Sequence, residues 1–225
     1  MKSKAHVRAI HRALLKTYGE PKRSPMDAVS ELVCTILSQN TNDANRDRAY
    51  TALRARFATW EQVRDAPARH VVAAIRPAGL ANQKGPRIQK VLRRITELNP
   101  GLPLNIDFLA ELPVEEARQW LLSLDGVGPK TAAIVLLFSL NRPAFPVDTH
   151  VHRVTTRLGL IPEGASAEKA HTLLEALVPP EWYFSFHINV ITHGRAVCKA
   201  RQPRCPDCPL EKRCDYYASV SHADR

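Results

Sequence analysis

Four of the five cysteines lie close together near the C-terminal end of the chain, and this restricts what that end can become. Their spacing, C-x6-C-x2-C-x5-C, lets four thiolates meet over a short stretch that also holds three prolines. Four sulfur ligands fit either zinc or a four-iron four-sulfur cluster. Two disulfides are the alternative, which we disfavour because the sequence shows no secretion signal. The predicted metal ligands are Cys198, Cys205, Cys208 and Cys214.

Apolar residues recur three or four positions apart along most of the chain, which is the pattern of helices packed by one face. One such stripe runs through residues 29–37 and another through 49–57. Pro86 is expected to open a further helix, because proline is favoured at the first helical position. No segment alternates convincingly with period two. The sequence therefore predicts an all-α fold.

The composition is that of a globular protein with a basic surface. Hydrophobic residues make up 44% of the chain, and 32 Lys and Arg against 22 Asp and Glu give a net charge of +10. A basic protein attracts polyanions, although charge alone also fits a protein that is simply soluble. The longest nearly apolar run, Ala132–Leu140, is too short to cross a bilayer, so we expect a buried core helix and no membrane partner. We expect an intracellular protein that is not secreted, with nucleic acid as the candidate polyanion.

The stretch Leu124–Ala132, with the sequence LDGVGPKTA, joins two strong helical patterns through a glycine hairpin. Gly126 and Gly128 permit backbone angles and close approaches that a Cβ would block, and Pro129 can open the second helix. Amides at that helix start suit a phosphate oxygen. A Walker-type nucleotide loop is disfavoured because it requires a glycine where Pro129 stands and a strand before the loop. A plain helix–helix turn without function is the other alternative.

The motifs together resemble the endonuclease III family of DNA glycosylases. Leu124–Ala132 resembles its helix-hairpin-helix signature, and the cysteine spacing is similar to its iron–sulfur site. Pro146–His150, with the sequence PVDTH, resembles its catalytic aspartate segment, and His193–Arg195 resembles the stretch before its first cluster cysteine. The resemblance extends from about Arg12 to Tyr216, with the elements in the family's order.

The resemblance implies two helical domains with a DNA-binding cleft between them. A six-helix domain over residues 24–131 would end in the helix-hairpin-helix motif. Residues 1–23 and 132–225 would form the second domain, which carries a 4Fe-4S cluster, with zinc as the alternative. The chain is expected to act as a monomer.

The resemblance also implies a catalytic pair, Lys130 and Asp148, facing each other across that cleft. A lysine amine must be neutral to attack a sugar carbon, although a free lysine is almost fully protonated at neutral pH. Burial and the positive helix start would favour the neutral amine. Asp148 would stabilise positive charge on the sugar or assist proton removal. The simpler alternatives are a phosphate-binding Lys130 and an Asp148 that only caps the helix starting at Thr149.

The family implies three groups of residues that contact DNA. The hairpin contacts are Gly126, Val127, Gly128 and Thr131. The gap left by an everted nucleotide would be filled by Asn40 and Leu80, with Gln39 as the alternative to Asn40. The phosphate backbone would be met by Lys199, Arg201 and Arg204, although the latter group also fits a solvated charge run. The chain departs from the family pattern at three places near these groups, namely Asn40, Ala81 and Gly85-Pro86.

Residue types favour one branch of the family. Branches that excise adenine or act on thymine mismatches lack the lysine at position 130, and the adenine branch has an acid about where Thr35 stands. The expected activity is therefore a bifunctional DNA glycosylase and AP lyase. Its expected substrate is double-stranded DNA containing oxidised or ring-saturated pyrimidines or abasic sites. A non-catalytic DNA-binding protein that keeps the hairpin and the cluster for structure is the alternative.

Overall fold

The computed structural model describes residues 2–223 of the chain, with side chains to residue 221, and confirms the predicted all-α fold. No strand occurs within that range. The helices are α1 (Lys4–Tyr18), α2 (Ala28–Ser38), α3 (Asp43–Arg56), α4 (Trp60–Asp65), α5 (Ala68–Ala74), α6 (Ala81–Leu98), α7 (Val114–Leu122), α8 (Pro129–Ile134), α9 (Thr149–Arg157), α10 (Ala167–Leu177), α11 (Tyr183–Ala196) and α12 (Asp215–Ala223).

The chain divides into two compact units. The first comprises the chain up to Ser24 together with the chain from Pro143 onward, and the second is Pro25–Arg142. This division leaves residues 132–142 with the hairpin, whereas the sequence analysis assigned them to the terminal domain. Buried residues of this stretch pack against α2 and α7. Which residues act as one domain on DNA stays a prediction.

Helix α2 forms the centre of the second unit. Leu32, Val33, Ile36 and Leu37 are fully buried, and α2 packs against α3, α6 and α8. The helix begins after Asp27, whose carboxylate accepts a hydrogen bond from the Ser30 amide at 2.8 Å. A helix buried on most sides is apolar on most sides, which explains why apolar residues in 29–37 also stand next to one another, at 32–33 and 36–37.

Helix α6 begins at Ala81, so the prediction that Pro86 opens it was wrong. The preceding residue, Leu80, adopts a left-handed conformation, and its carbonyl accepts hydrogen bonds from the amides of Gln83 and Lys84, both at 2.9 Å. Pro86 therefore lies inside the helix, where it removes one donor near the first turns. At Gly85, a Cβ would lie 2.9 Å from Val72 Cγ2, so glycine permits close packing of α6 on α5.

The apolar run Ala132–Leu140 is a buried helical segment, as predicted, but it is not a regular α-helix throughout. Helix α8 passes into a π-helical turn over Val135–Ser139, in which Val135, Leu136 and Leu137 are buried. Within residues 2–223, no helix is long and apolar enough to cross a membrane.

In the first unit, α11 packs against both α1 and α9. This places the N-terminal helix on a helix that lies far along the sequence. Aromatic rings fill the contacts: Phe145 packs against Tyr183 and Phe186, and His11 stacks on Trp182 at 4.7 Å between ring centroids. The residues from Ile188 to Thr192 are helical within α11.

Candidate functional site

The glycine hairpin connects α7 to α8, and its two glycines differ in what they require. The Val127 amide donates a hydrogen bond to the Leu124 carbonyl at 3.1 Å, which closes the turn over Gly126. Gly126 has a φ of 75°, which favours glycine. Gly128 has an ordinary backbone conformation, and a Cβ there would meet no atom of the described residues within 4 Å. Packing among the described residues therefore does not explain why residue 128 is a glycine. A glycine here would let a partner approach the backbone closely.

Lys130 is the second residue of α8 and is half-buried. Pro129 opens the helix, Gly128 precedes it, and no side chain caps its start. The next residue, Thr131, is buried. Lys130 thus lies at the positive end of a helix dipole, on the short stretch that the hairpin fixes.

Helix α6 presents a row of cations beside the hairpin that the sequence analysis did not single out. Lys90, Arg93 and Arg94 line one open pocket together with hairpin residues 122–128. Lys90 also forms an exposed ion pair with Asp125 at 3.0 Å. The sequence does contain this pattern: the three basic residues are spaced three and four positions apart, and such residues share one face of a helix.

Asp148 is the N-cap of α9 in the first unit. Its Oδ1 accepts a hydrogen bond from the Val151 amide at 2.7 Å, and the residue is half-buried. A carboxylate has about four lone-pair sites, so one cap bond leaves capacity for other contacts. Lys130 belongs to the second unit, and the predicted pairing of the two residues stays a prediction.

The two residues predicted to fill the gap in DNA, Asn40 and Leu80, lie on loops with left-handed backbone. Asn40 follows the C-terminal end of α2 with a φ of 53° and is exposed, and Leu80 precedes α6 with a φ of 50°. Leucine adopts this conformation at a steric cost. Leu80 is also 48% exposed, which is unusual for a large apolar side chain held in a strained loop. Strained, exposed residues of this kind cluster at functional sites.

Gln39, the alternative gap-filling residue, is engaged within the second unit. Its side-chain amide donates to the Gly126 carbonyl at 3.4 Å, and its carbonyl oxygen accepts from Arg87 Nη1 at 3.1 Å. These bonds connect the loop after α2 to the hairpin. The neighbouring residue Asn40 is exposed.

The four C-terminal cysteines line one pocket in the first unit. All are free thiols, so the alternative of two disulfides has no counterpart in this structure. Among residues 2–223, no group of three or more His, Cys, Asp or Glu side chains converges on one point as a single metal ion requires. A 4Fe-4S cluster needs a different arrangement, because each cysteine binds a separate iron at the periphery of a bulky group.

The thiols repel one another's ionised forms. Burial, together with the charge of the neighbouring cysteines, raises the pKa of Cys208 to about 11. The pKa values of Cys205 and Cys214 are also raised, first by burial and then by the charge of nearby cysteines. Four thiolates held this close are stabilised when they share a cationic group, which fits a cluster of positively charged iron ions.

Hydrogen-bond donors surround the sulfurs. Arg157 Nη1 donates to Cys198 Sγ at 3.3 Å, and the Leu210 amide donates to Cys208 Sγ at 3.4 Å. His193 Nε2 lies 3.5 Å from the same Cys208 sulfur, and its Nδ1 lies 2.9 Å from Tyr18 Oη. Burial lowers the pKa of His193 to about 4, so its ring is neutral. Donors to cysteine sulfur are a characteristic of iron–sulfur sites.

Arg153 connects the start of α9 to the cysteine pocket, and the sequence analysis missed it. Its Nη2 donates to the Gly194 carbonyl at 2.8 Å and lies 3.1 Å from His150 Nδ1, and its Nε donates to the Cys198 carbonyl at 3.0 Å. The segment that follows Asp148 is thereby fixed to the first cysteine. Only the fold reveals this, because an arginine at this position reads as a surface residue.

The three basic residues between the first two cysteines, Lys199, Arg201 and Arg204, are all exposed. Arg204 donates a hydrogen bond to the Ala196 carbonyl at the end of α11, at 3.0 Å, and its amide donates to the Val197 carbonyl. The loop therefore folds back on the end of α11 and presents its cations to solvent.

Comparisons with known proteins agree with this fold. A family model described as HhH-GPD superfamily base excision DNA repair protein matches residues 33–180. Endonuclease III of Thermotoga maritima is 32% identical over 191 residues, which cover 85% of this chain and 84% of that protein. Endonuclease III of Sulfolobus acidocaldarius is 33% identical, with coverages of 83% and 81%. An Arabidopsis thaliana protein is 37% identical over 189 residues, but the match spans only 64% of its length.

Solved structures show the same similarity. A trapped endonuclease III–DNA covalent intermediate matches with a TM-score of 0.84 and 28% identity, over 98% of this chain and 100% of that chain. A thermostable thymine-DNA glycosylase matches with a TM-score of 0.80 over 96% of this chain and 98% of that chain. At 22% identity it shares the fold alone.

The cap at Asp148 predicts a difference between two substitutions. Asp148→Ala removes the acceptor for the Val151 amide and should lower the free energy of unfolding by about 1 kcal/mol. Asp148→Asn keeps an acceptor of similar capping strength and should change it by less than about 0.5 kcal/mol. Urea unfolding of both variants measures this. Ser166→Ala, at the capped start of α10, is the matched control and should resemble Asp148→Ala. Equal losses for the two Asp148 variants would contradict the capping role.

Proposed function

Because this chain belongs to the HhH-GPD superfamily of base excision DNA repair proteins, we propose that it is a bifunctional DNA glycosylase and AP lyase. Its proposed substrate is duplex DNA that contains oxidised or ring-saturated pyrimidines or abasic sites. The observation that carries the proposal is Lys130, a half-buried residue at the start of α8, directly after the Gly126–Pro129 hairpin.

The reaction begins with eversion of the damaged nucleotide, because its sugar carbon is inaccessible in the base stack. Eversion leaves a gap that must be filled. The exposed, left-handed loops at Asn40 and Leu80 provide an amide and an apolar wedge for this gap. Phosphates approach the hairpin at Gly128, where no side chain of the described residues blocks the backbone.

Lys130 then acts as the nucleophile. Its Nζ forms a bond to C1′ while the bond from C1′ to the base breaks, and the base leaves with a proton. The sugar ring opens to a Schiff base, which stabilises the electron pair released when C2′ loses a proton. β-Elimination then breaks the bond from C3′ to the phosphate oxygen and cuts the strand 3′ to the lesion. One amine thus performs both the glycosylase and the lyase step.

Asp148 stabilises the positive charge that develops on the sugar or assists proton transfer. The cap bond to the Val151 amide supports this role, because it fixes the carboxylate at one place on the rigid end of α9. A carboxylate also favours the protonated form of a nearby amine. Its contribution therefore lies in the transition state, where the positive charge is on the sugar.

Residue type supports the choice of branch. Thr35 lies buried in α2, about where the adenine-excising branch of the family has an acid. Lys130 itself is absent from that branch and from the thymine-mismatch branch. Both features favour a lysine-dependent enzyme. Asn40 and Ala81 depart from the usual family residues. These departures concern which base is preferred and not the type of reaction.

Borohydride trapping on a duplex with an oxidised pyrimidine tests the mechanism. The natural protein should form a covalent adduct with DNA, whereas Lys130→Gln should bind the duplex but form none. Asp148→Asn should stay folded and react about a hundredfold more slowly. Lys169→Gln, an exposed lysine on α10, is the control and should react like the natural protein.

Two results would contradict this mechanism. An adduct that persists in Lys130→Gln would assign the chemistry to another amine. A natural protein that saturates the duplex without forming any adduct would favour the non-catalytic DNA-binding alternative.

We further propose that Cys198, Cys205, Cys208 and Cys214 hold a 4Fe-4S cluster. The support is the shared pocket of four free thiols, their mutual repulsion when ionised, and the donors from Arg157 and Leu210 to the sulfurs. When bound, such a cluster would crosslink the chain between Cys198 and Cys214. The proposed reaction requires no redox step. The cluster would therefore have a structural role, which is to hold in place the loop that carries Lys199, Arg201 and Arg204.

Metal analysis tests the cluster. The purified protein should be brown, absorb at about 400 nm, and contain iron and acid-labile sulfide in equal amounts. Cys208→Ala should lose the colour, whereas Cys34→Ala should keep it, because Cys34 lies on α2 in the other unit. A colourless protein with one zinc ion per chain would contradict the assignment.

We propose that Lys199, Arg201 and Arg204 contact the phosphate backbone, because the cysteine loop presents all three to solvent. The double variant Arg201→Gln/Arg204→Gln should reduce the salt slope of DNA binding by about two. Lys4→Gln/Lys16→Gln on α1 lowers the net charge equally and is the control. An equal effect of both variants would mean that net charge alone, and not this loop, determines the slope.

A further inference from the structure

Lys84 is a buried lysine that the mechanism above does not use. Only 2% of the residue is exposed, and its ammonium donates to two backbone carbonyls, those of Leu37 and Ala78, both at 2.8 Å. Burial lowers the pKa of Lys84. A buried charge is costly, and lysines are almost never fully buried unless they are paired. Packing alone therefore does not explain why a charged side chain is buried at this position.

The two acceptors stand just before the two loops proposed to enter DNA. Leu37 lies in the last turn of α2, three residues before Asn40, and Ala78 lies two residues before Leu80. The amide of Lys84 itself donates to the Leu80 carbonyl at 2.9 Å. One residue thus binds the backbone on both sides of Leu80 and, at the same time, the end of the helix that leads to Asn40.

Helix ends alone do not require an ammonium here. The last carbonyls of a helix are commonly satisfied by water or by neutral donors. What the ammonium adds is a connection between two segments, since its diverging N–H bonds reach both carbonyls from one point.

We propose that Lys84 is a positioning residue that holds the Asn40 and Leu80 loops at a fixed separation, so that both enter the duplex together when a nucleotide is everted. The inference rests on the proposed function. Pre-positioned loops pay less entropy on binding than loops that must be ordered separately. Eversion of a paired base, which is costly, should therefore depend on Lys84 more than the subsequent chemistry does.

Lys84→Met tests this, because methionine keeps much of the length and apolar volume and removes both hydrogen bonds. Single-turnover excision is compared on two duplexes that carry the same lesion. In one the lesion is fully paired, and in the other it lies in a short unpaired bubble, where eversion costs little. The variant should lose about tenfold on the paired lesion and little on the bubble. Lys169→Met is the control and should match the natural protein on both.

Equal losses on both duplexes would overturn the inference and leave Lys84 with a structural role only. Failure of the natural protein to react with either duplex would instead refute the proposed function, so the two failures are distinguishable. Fluorescence of 2-aminopurine paired with the lesion gives an independent readout of eversion, which should be weaker in Lys84→Met at saturating binding.

A second set of variants keeps the inference testable if Lys84→Met does not fold. Asn40→Ala and Leu80→Ala alter exposed residues and leave the core intact. If the loops act together, the double variant should lose much less excision of the paired lesion than the product of the two single losses. Multiplicative losses would show that the loops act independently and would overturn the inference.

Discussion

The ends of α-helices carry backbone groups that need hydrogen-bond partners, and in this chain those ends also carry the residues proposed to act on DNA. Lys130 lies in the first turn of α8, Asp148 caps α9, and Leu80 precedes α6. Asn40 follows α2, and Cys198 follows α11. In a small all-α protein the helix faces pack into the core. The helix ends are therefore the parts that remain available for chemistry. Whatever fixes an end therefore fixes a functional residue.

Two cations fix helix ends in this way, the buried Lys84 in the second unit and the half-buried Arg153 in the first. The ammonium of Lys84 binds carbonyls at the ends of two helical segments in the second unit. The guanidinium of Arg153 binds the carbonyls of Gly194 and Cys198 in the first unit, and so connects α9 to the cysteine pocket. A cation with diverging donors can join segments that are distant in sequence, which a local capping side chain cannot do. The proposed lesion-binding loops and the cysteine loop are held by the same kind of contact.

Structural features that depend only on neighbouring residues could be predicted from the sequence. The Gly128-Pro129 pair predicted a helix start, and Asp148-Thr149 predicted a cap, because both depend on neighbouring residues alone. Pro86 predicted the wrong helix start, because the start of α6 is set by the left-handed turn at Leu80. Lys84 could not be found, because its acceptors are backbone carbonyls brought close only by the fold. The π-helical turn over Val135–Ser139, which packs against α2, likewise has no counterpart in the pattern of residue types.

The central claim is that one particular amine becomes bonded to the sugar. Mass spectrometry of a proteolytic digest of the borohydride-reduced protein–DNA adduct measures this directly, because the reduced bond survives digestion and marks the modified residue. The account predicts that the sugar remnant is found on the peptide that spans Lys130 and on no other. A remnant on a peptide without Lys130 would contradict it.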